Sequence, residues 1–144
     1  MENLDQILDA PAIEEKQLNY AGFWIRTGAY LIDGILLWVV QVVMAIMLGQ
    51  AAILASVISI FLTVGYFAIM ESSANQATLG KMAVGIKVGD YNGGQLSFGN
   101  ALGRYFAKIL SALILCIGFM MVGWDDKNQG LHDKLANTYV FYAK

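Results

Sequence analysis

From Gly34 to Met70 the chain runs 37 residues without an Asp, Glu, Lys, Arg or His. A helical crossing of the bilayer core takes ~20 apolar residues, so this run holds nearly two. Gly49 and Gln50 are its polar break. They divide it into a predicted helix from about Gly22 to Leu48 and a second from about Ala52 to Met70. At 1.5 Å per residue the first is roughly 40 Å long, enough to cross with tilt. The second closes at Glu71, Ser72, Ser73 and Asn75. A tight turn between them makes an antiparallel pair, so Tyr20 and Glu71 fall on one side. Tyr20, Phe23 and Trp24 form an aromatic group of the kind found at a membrane interface.

The pattern then changes. Glycines punctuate residues 76–100, and Ala83 to Asp90 alternates weakly with Val84, Ile86 and Val88 on one face. That predicts a short strand, followed by a turn at Tyr91-Asn92-Gly93-Gly94. Ser97 is placed to cap a helix starting near Phe98, with Arg104 and Lys108 on one face. An apolar run from Ile109 to Trp124 follows, and after a polar stretch Thr138 to Tyr142 reads as a second strand. Residues 101–124 either cross once or dip in and return near Gly118. Re-entrant backbone is tolerated only when protein or water covers it. The return path places every basic residue on one side, which the rule of positive cytoplasmic loops makes the cytoplasm, with both termini there. Residues 1–19 form a polar tail or a surface amphipathic segment, and 20–144 a single membrane domain.

Composition supports this class: 58% of residues are hydrophobic and only 14% charged, far from a soluble domain's balance. The nine Lys and Arg are scattered singly, which argues against nucleic acid as a partner. Cys116, the lone cysteine, excludes an intrachain disulfide and reads as a small apolar core residue. The acidic N-terminus lacks the basic start of a secretory signal. The fold class expected is an all-α membrane protein: a small bundle of three to four membrane-inserted helices with a short two-stranded cytoplasmic β element.

Ionisable groups inside a membrane are rare and face a bundle interior, a water cavity or a partner charge. Arg26 and Asp33 are therefore the candidate site. Seven residues apart, they lie on nearly the same helix face but about 10 Å apart along the axis. Tyr30 and Gln41 extend that stripe. Two readings stay open: a carboxylate contested by a proton and a cation, or a structural Arg26–Asp33 clamp. His132-Asp133 reads as a turn or cap anchoring the tail through Arg104 or Lys81. With a single histidine, no metal site is expected. Gly80-Lys81 lacks the upstream glycines of a phosphate loop, and no nucleophile–base pair is apparent, so neither cofactor nor enzyme activity is expected.

Several motifs resemble the RDD family of small bacterial integral membrane proteins. They are Gly22-Phe23-Trp24-Ile25-Arg26 with Ala29-Tyr30-Leu31-Ile32-Asp33, Thr78-Leu79-Gly80-Lys81, Gly85-Ile86-Lys87-Val88, Arg104, and Gln129 through Thr138. The resemblance spans about residues 20–142, with Asn137 standing where the family usually has a small residue. It implies that Arg26, Asp33 and Asp133 are the arginine and two aspartates for which the family is named. It implies two strands lying near each other on one side, which favours re-entry of 101–124. It also implies a transporter of the inner membrane, in some relatives linked to cation/proton antiport. Tyr30, Gln41, Glu71, Lys81, Arg104 and His132 are the supporting polar candidates. The partners expected are the bilayer, monovalent cations and protons, and further copies of the chain or another membrane protein. The alternative is a scaffold or accessory subunit whose charges are structural.

Overall fold

The computed structural model describes residues 18–49, 51–114 and 117–143. The expectations for the first seventeen residues, for Gln50 and for Cys116 lie outside these. In chain order the elements are α1 (Phe23–Leu48), α2 (Ala52–Ser72), α3 (Leu79–Ala83), β1 (Ile86–Gly89), α4 (Phe98–Leu113), α5 (Ile117–Met120), a 3-10 turn (Met121–Gly123), α6 (Leu131–Leu135) and β2 (Tyr139–Tyr142). The mostly helical membrane architecture with one small two-stranded sheet is the one the hydrophobic pattern predicts.

Helices α1 and α2 are long and apolar enough to cross a bilayer, and the other described residues cover almost none of their apolar length. Leu31, Ile35, Trp38, Ile46, Ile53 and Phe61 all face outward. In lipid this surface is already in an apolar medium, so it needs no protein cover. The protein core sits instead at one end of the spans. There Ala21, Ala29, Ile86, Val88, Leu96 and Val140 pack together.

The sheet explains why that end is closed. β1 pairs antiparallel with β2, Ile86 opposite Tyr142 and Gly89 opposite Tyr139, and Tyr20 bridges to Phe141 on the far side of β2. The chain just before α1 and the chain after α6 therefore meet at one end. The segment between the strands must leave that end and come back. The axes of α4 and of Ile117–Gly123 differ by 112°, and Gly118 lies so close to α4 that a Cβ there would fall 2.7 Å from Ser111 Oγ. Counted by length and composition, the bent pair is a possible third crossing; by connectivity it returns.

Two local differences from the sequence reading have physical causes. Helix α2 extends through Glu71 to Ser72, because Glu71 is buried against cations instead of marking an exposed end. Thr78-Leu79-Gly80-Lys81 opens a five-residue helix, α3, whose cap is the Thr78 side chain accepting from the Lys81 amide at 3.4 Å. It is too short for periodicity to reveal. Asn137 has φ +51°, a left-handed conformation that Asn tolerates better than most side chains, which suits the tight turn from α6 into β2.

Packing of α3 against α1 is closest at Gly80, where a Cβ would lie 2.1 Å from the Ala29 carbonyl oxygen and 2.8 Å from Asp33 Cγ. Gly80→Ala is expected to lower stability by about 1–3 kcal/mol, the usual cost of overpacking. Gly65→Ala, whose Cβ would meet only Ile69 Cδ1 at 4.0 Å, should be nearly neutral. Thermal melts of both variants in one detergent check the contrast; equal melting temperatures would contradict this packing.

Candidate functional site

Asp33 is fully buried, and its partners are neutral. The Thr78 hydroxyl donates to Oδ2 at 2.6 Å, while the Gly80 amide and the Tyr66 hydroxyl donate to Oδ1 at 2.8 and 2.7 Å. Tyr66 in turn accepts from the Leu79 amide at 3.0 Å. The carboxylate thus receives one amide from the first turn of α3, that of Gly80, at a helix start where an anion is favourable. The missing β-carbon at Gly80 is what lets backbone reach it. Asp33 and Arg26 are not partners, so the Arg26–Asp33 clamp considered from their spacing is not formed. A shared helix face brings residues into line, but 10 Å of axial separation leaves each to a different neighbour.

Arg26 reaches across the chain. Nη1 donates to Asp133 Oδ2, Nη2 to the Asn128 carbonyl, and Nε to the Ala21 carbonyl at 2.9 Å. Asp133 Oδ2 also accepts from the Gly130 amide at 3.1 Å, capping α6. Its other oxygen lies 2.7 Å from Arg104 Nη2. Arg104 continues the network, with Nε 3.6 Å from Glu71 Oε2. Glu71 is shared further, its Oε1 taking Lys81 and, at 3.1 Å, Lys108. Lys81 and Lys108 stand over the Tyr30 ring at 5.6 and 5.2 Å from its centroid. One connected set of charges therefore joins α1, α2, α3, α4 and α6.

Most of the residues selected from sequence meet here: Arg26, Tyr30, Glu71, Lys81, Arg104, His132 and Asp133. The anchoring of Asp133 runs through Arg104, whereas Lys81 serves Glu71. Asp33 sits beside the network on neutral donors. Gln41 is elsewhere, facing outward along α1. It lines a groove of about 640 Å³ between the spans with Trp38, Ser56, Ser59, Thr63 and Tyr105. The Ser56 and Thr63 hydroxyls are returned to their own helix, donating to the Ala52 and Ser59 carbonyls. Sequence reasoning placed Lys108 on one face with Arg104 by their i, i+4 spacing but did not select it for the site. Nor did it select Tyr66, for which no local pattern gives a cue, or Thr78, which entered only as part of the Thr78-Leu79-Gly80-Lys81 motif. Gln76 was missed too; with φ +54° it donates to the Val88, Gly93 and Gly94 carbonyls and ties the loop after α2 to β1. Among the described residues no three His, Cys, Asp or Glu side chains converge as metal ligands.

Titration follows from burial. Burial pulls the Lys81 ammonium below the usual lysine range, against the attraction of Glu71. For Asp133 burial works upward, but Arg104, His132 and Arg26 outweigh it and hold the carboxyl well below its usual range. His132 is 2% exposed, its ring packed 5.1 Å from that of Phe119, and burial drops its pKa to about 3 despite Asp133 beside it. Both shifts are downward, so the unfolded chain binds more protons than the folded one as acid is added. The stability contributed by neutral His132 is complete above its ordinary value of 6.5 and drains away as pH falls towards 3. Between pH 7 and pH 5 the loss from this one group should be about 2 kcal/mol. Denaturation midpoints across that interval check it, and His132→Phe should flatten the slope.

Residues 20–137 match the RDD family. The chain is 35% identical to the uncharacterized protein YxaI of Bacillus subtilis (strain 168), over 85% of this chain and 97% of that one. It is 31% identical to the uncharacterized membrane protein YteJ of the same organism, over 87% of this chain and 82% of the relative. A shorter stretch, 47% of this chain and 28% of the relative, is 35% identical to a proline-rich antigen of Mycobacterium leprae (strain TN). No solved structure matches. With the family matched over most of its length, and with two apolar spans capped by the network of Arg26, Arg104 and Asp133, the chain belongs to the RDD family of membrane proteins.

Proposed function

We propose that this protein is a non-enzymatic scaffold or accessory subunit of the bacterial cytoplasmic membrane. In this reading both termini face the cytoplasm, and the buried charges hold one shape at the membrane surface for a partner protein or a further copy. The observation that carries it is Asp33. A carboxylate that exchanges protons for cations must be reached by both, yet this one is fully buried and engaged by three donors. Its nearest backbone leaves no room for so much as a methyl group. Arg26 and Asp133 are likewise engaged with protein partners. A buried ion network of this kind fixes which elements pair more than it adds net stability.

The orientation rests on charge. Arg26, Lys81, Arg104 and Lys108 all belong to the end where the strands meet, and Lys87 lies in β1. Basic residues favour the cytoplasmic side. A cysteine placed at position 144 in a Cys116→Ala background should be protected from an impermeant thiol reagent in intact cells and react after lysis. Labelling in intact cells would reverse the orientation.

A second reading, a transporter exchanging monovalent cations and protons, is favoured by the groove. Its hydroxyls and the Gln41 amide line one side of the spans, and Tyr105 at its foot stacks on Phe67, 5.8 Å between centroids. Vesicles containing the purified full chain separate the two. On the scaffold reading, a pH gradient drives no more sodium or potassium movement than in protein-free vesicles. Asp33→Asn then lowers stability by about 2 kcal/mol, because hydrogen bonds to a charged acceptor are each worth ~1.5–3. Cation flux that Asp33→Asn abolishes, with the melting temperature unchanged, would replace the scaffold by the transporter.

A further inference from the structure

Among the described residues the network is not electrically balanced. Arg26, Lys81, Arg104 and Lys108 are buried against only two carboxylates in contact with them among the described residues, Glu71 and Asp133. His132 adds no charge near neutral pH. The sum is four minus two, an excess of two positive charges. Asp33 touches none of the four cations among the described contacts, and counting it still leaves an excess of one. Loss of a proton from Lys81 would leave the contact cluster one positive charge in excess. Uncompensated buried charge is costly, by several kcal/mol per ion.

The imbalance has a location. The Arg104 guanidinium is wholly buried, yet its Nη1 has no hydrogen-bond partner. The Tyr30 phenol lies against the same guanidinium. Buried donors are rarely left in this state. One turn further along α4, Lys108 keeps 9% of its surface exposed, its ammonium 4.9 Å from the Phe67 centroid. Ile109, next to it on α4, is exposed. Lys108 is therefore approached past an apolar, lipid-facing residue, with Arg104 enclosed behind it.

We propose that the Arg104–Lys108 edge binds a phosphate oxyanion, supplied by the headgroup of an acidic glycerophospholipid. A guanidinium with a free donor beside an ammonium is the usual chemistry of phosphate recognition. Basic pockets between membrane helices at the cytoplasmic surface bind acidic headgroups. A phosphate there completes the hydrogen bonding of Arg104, screens Lys108 and removes the excess charge. Inorganic phosphate offers the same oxygens without the apolar tail, and the experiment separates the two sources.

The purified full chain, in a non-ionic detergent free of phosphate, is melted with phosphatidylglycerol, with phosphatidylcholine, or with inorganic phosphate against chloride at matched ionic strength. Phosphatidylglycerol is expected to raise the melting temperature saturably, by about 5 °C. Phosphatidylcholine, whose headgroup carries no net charge, should raise it far less. A saturable shift with inorganic phosphate and none specific to phosphatidylglycerol overturns the lipid source. No shift with either, beyond that of chloride, overturns the site. Lys108→Gln removes one excess charge, so in lipid-free detergent it should melt no lower than the parent and should lose the phosphatidylglycerol increment. Lys87→Gln, altered on β1 at the sheet, should keep the full increment. Retention of the increment by Lys108→Gln overturns the proposal, and the parent measurement stands alone if that variant does not fold.

Discussion

Burial of the Asp133 carboxylate between Arg26 and Arg104 is the interaction on which the rest depends. The two transmembrane helices have little of their apolar length covered by protein, and in lipid nothing apolar presses them together. What fixes their arrangement lies at one end. Asp133 joins the start of α1 to α4 and caps α6; Glu71 joins the end of α2 to α3 and α4. The hydrophobic cluster beneath the sheet is small, so polar contacts carry most of the tertiary specificity. This inverts the arrangement of a soluble domain, where the apolar core holds and charges decorate.

Asp33 has a separate role within that frame. It draws residues 78–80 down along α1, roughly 15 Å from the helix start at 1.5 Å per residue. The loop after α2 is thereby pinned at two depths, by Asp33 through Thr78 and Gly80 and by Glu71 through Lys81. Gln76 fixes its third point against β1. A connection that crosses the membrane end of the molecule is thus as well specified as the helices it links.

Much of this was legible in the chain. The long uncharged run gives both spans, the weak alternation around Val84–Val88 and the β-branched and aromatic Thr138–Tyr142 give both strands, and Ser97 gives the start of α4. The charged candidates were also visible, because ionisable residues amid apolar sequence are conspicuous. Their pairing was legible only in part: Arg104 stood among the partners read for the His132-Asp133 tail, but the partner of Arg26 did not. Spacing along one helix suggests Arg26 with Asp33, but the true partner of Arg26 is 107 residues away. Helical periodicity carries no information about that distance. The neutral donors to Asp33 were equally hidden: Tyr66 looks like one more aromatic in a membrane helix, and α3 is too short to show a face.

The same sequence separations set an order of events during synthesis. Arg26 and Asp33 are made first and enter the membrane with α1. Asp33 waits 33 residues for Tyr66 and 47 for Gly80; Arg26 waits 107 for Asp133. Until then the first helix carries a carboxylate and a guanidinium without their final partners. Water, lipid headgroups or the insertion machinery must hold them in the interval. The finished cap is therefore a late product, closing only when α6 and β2 return to meet residues laid down at the beginning.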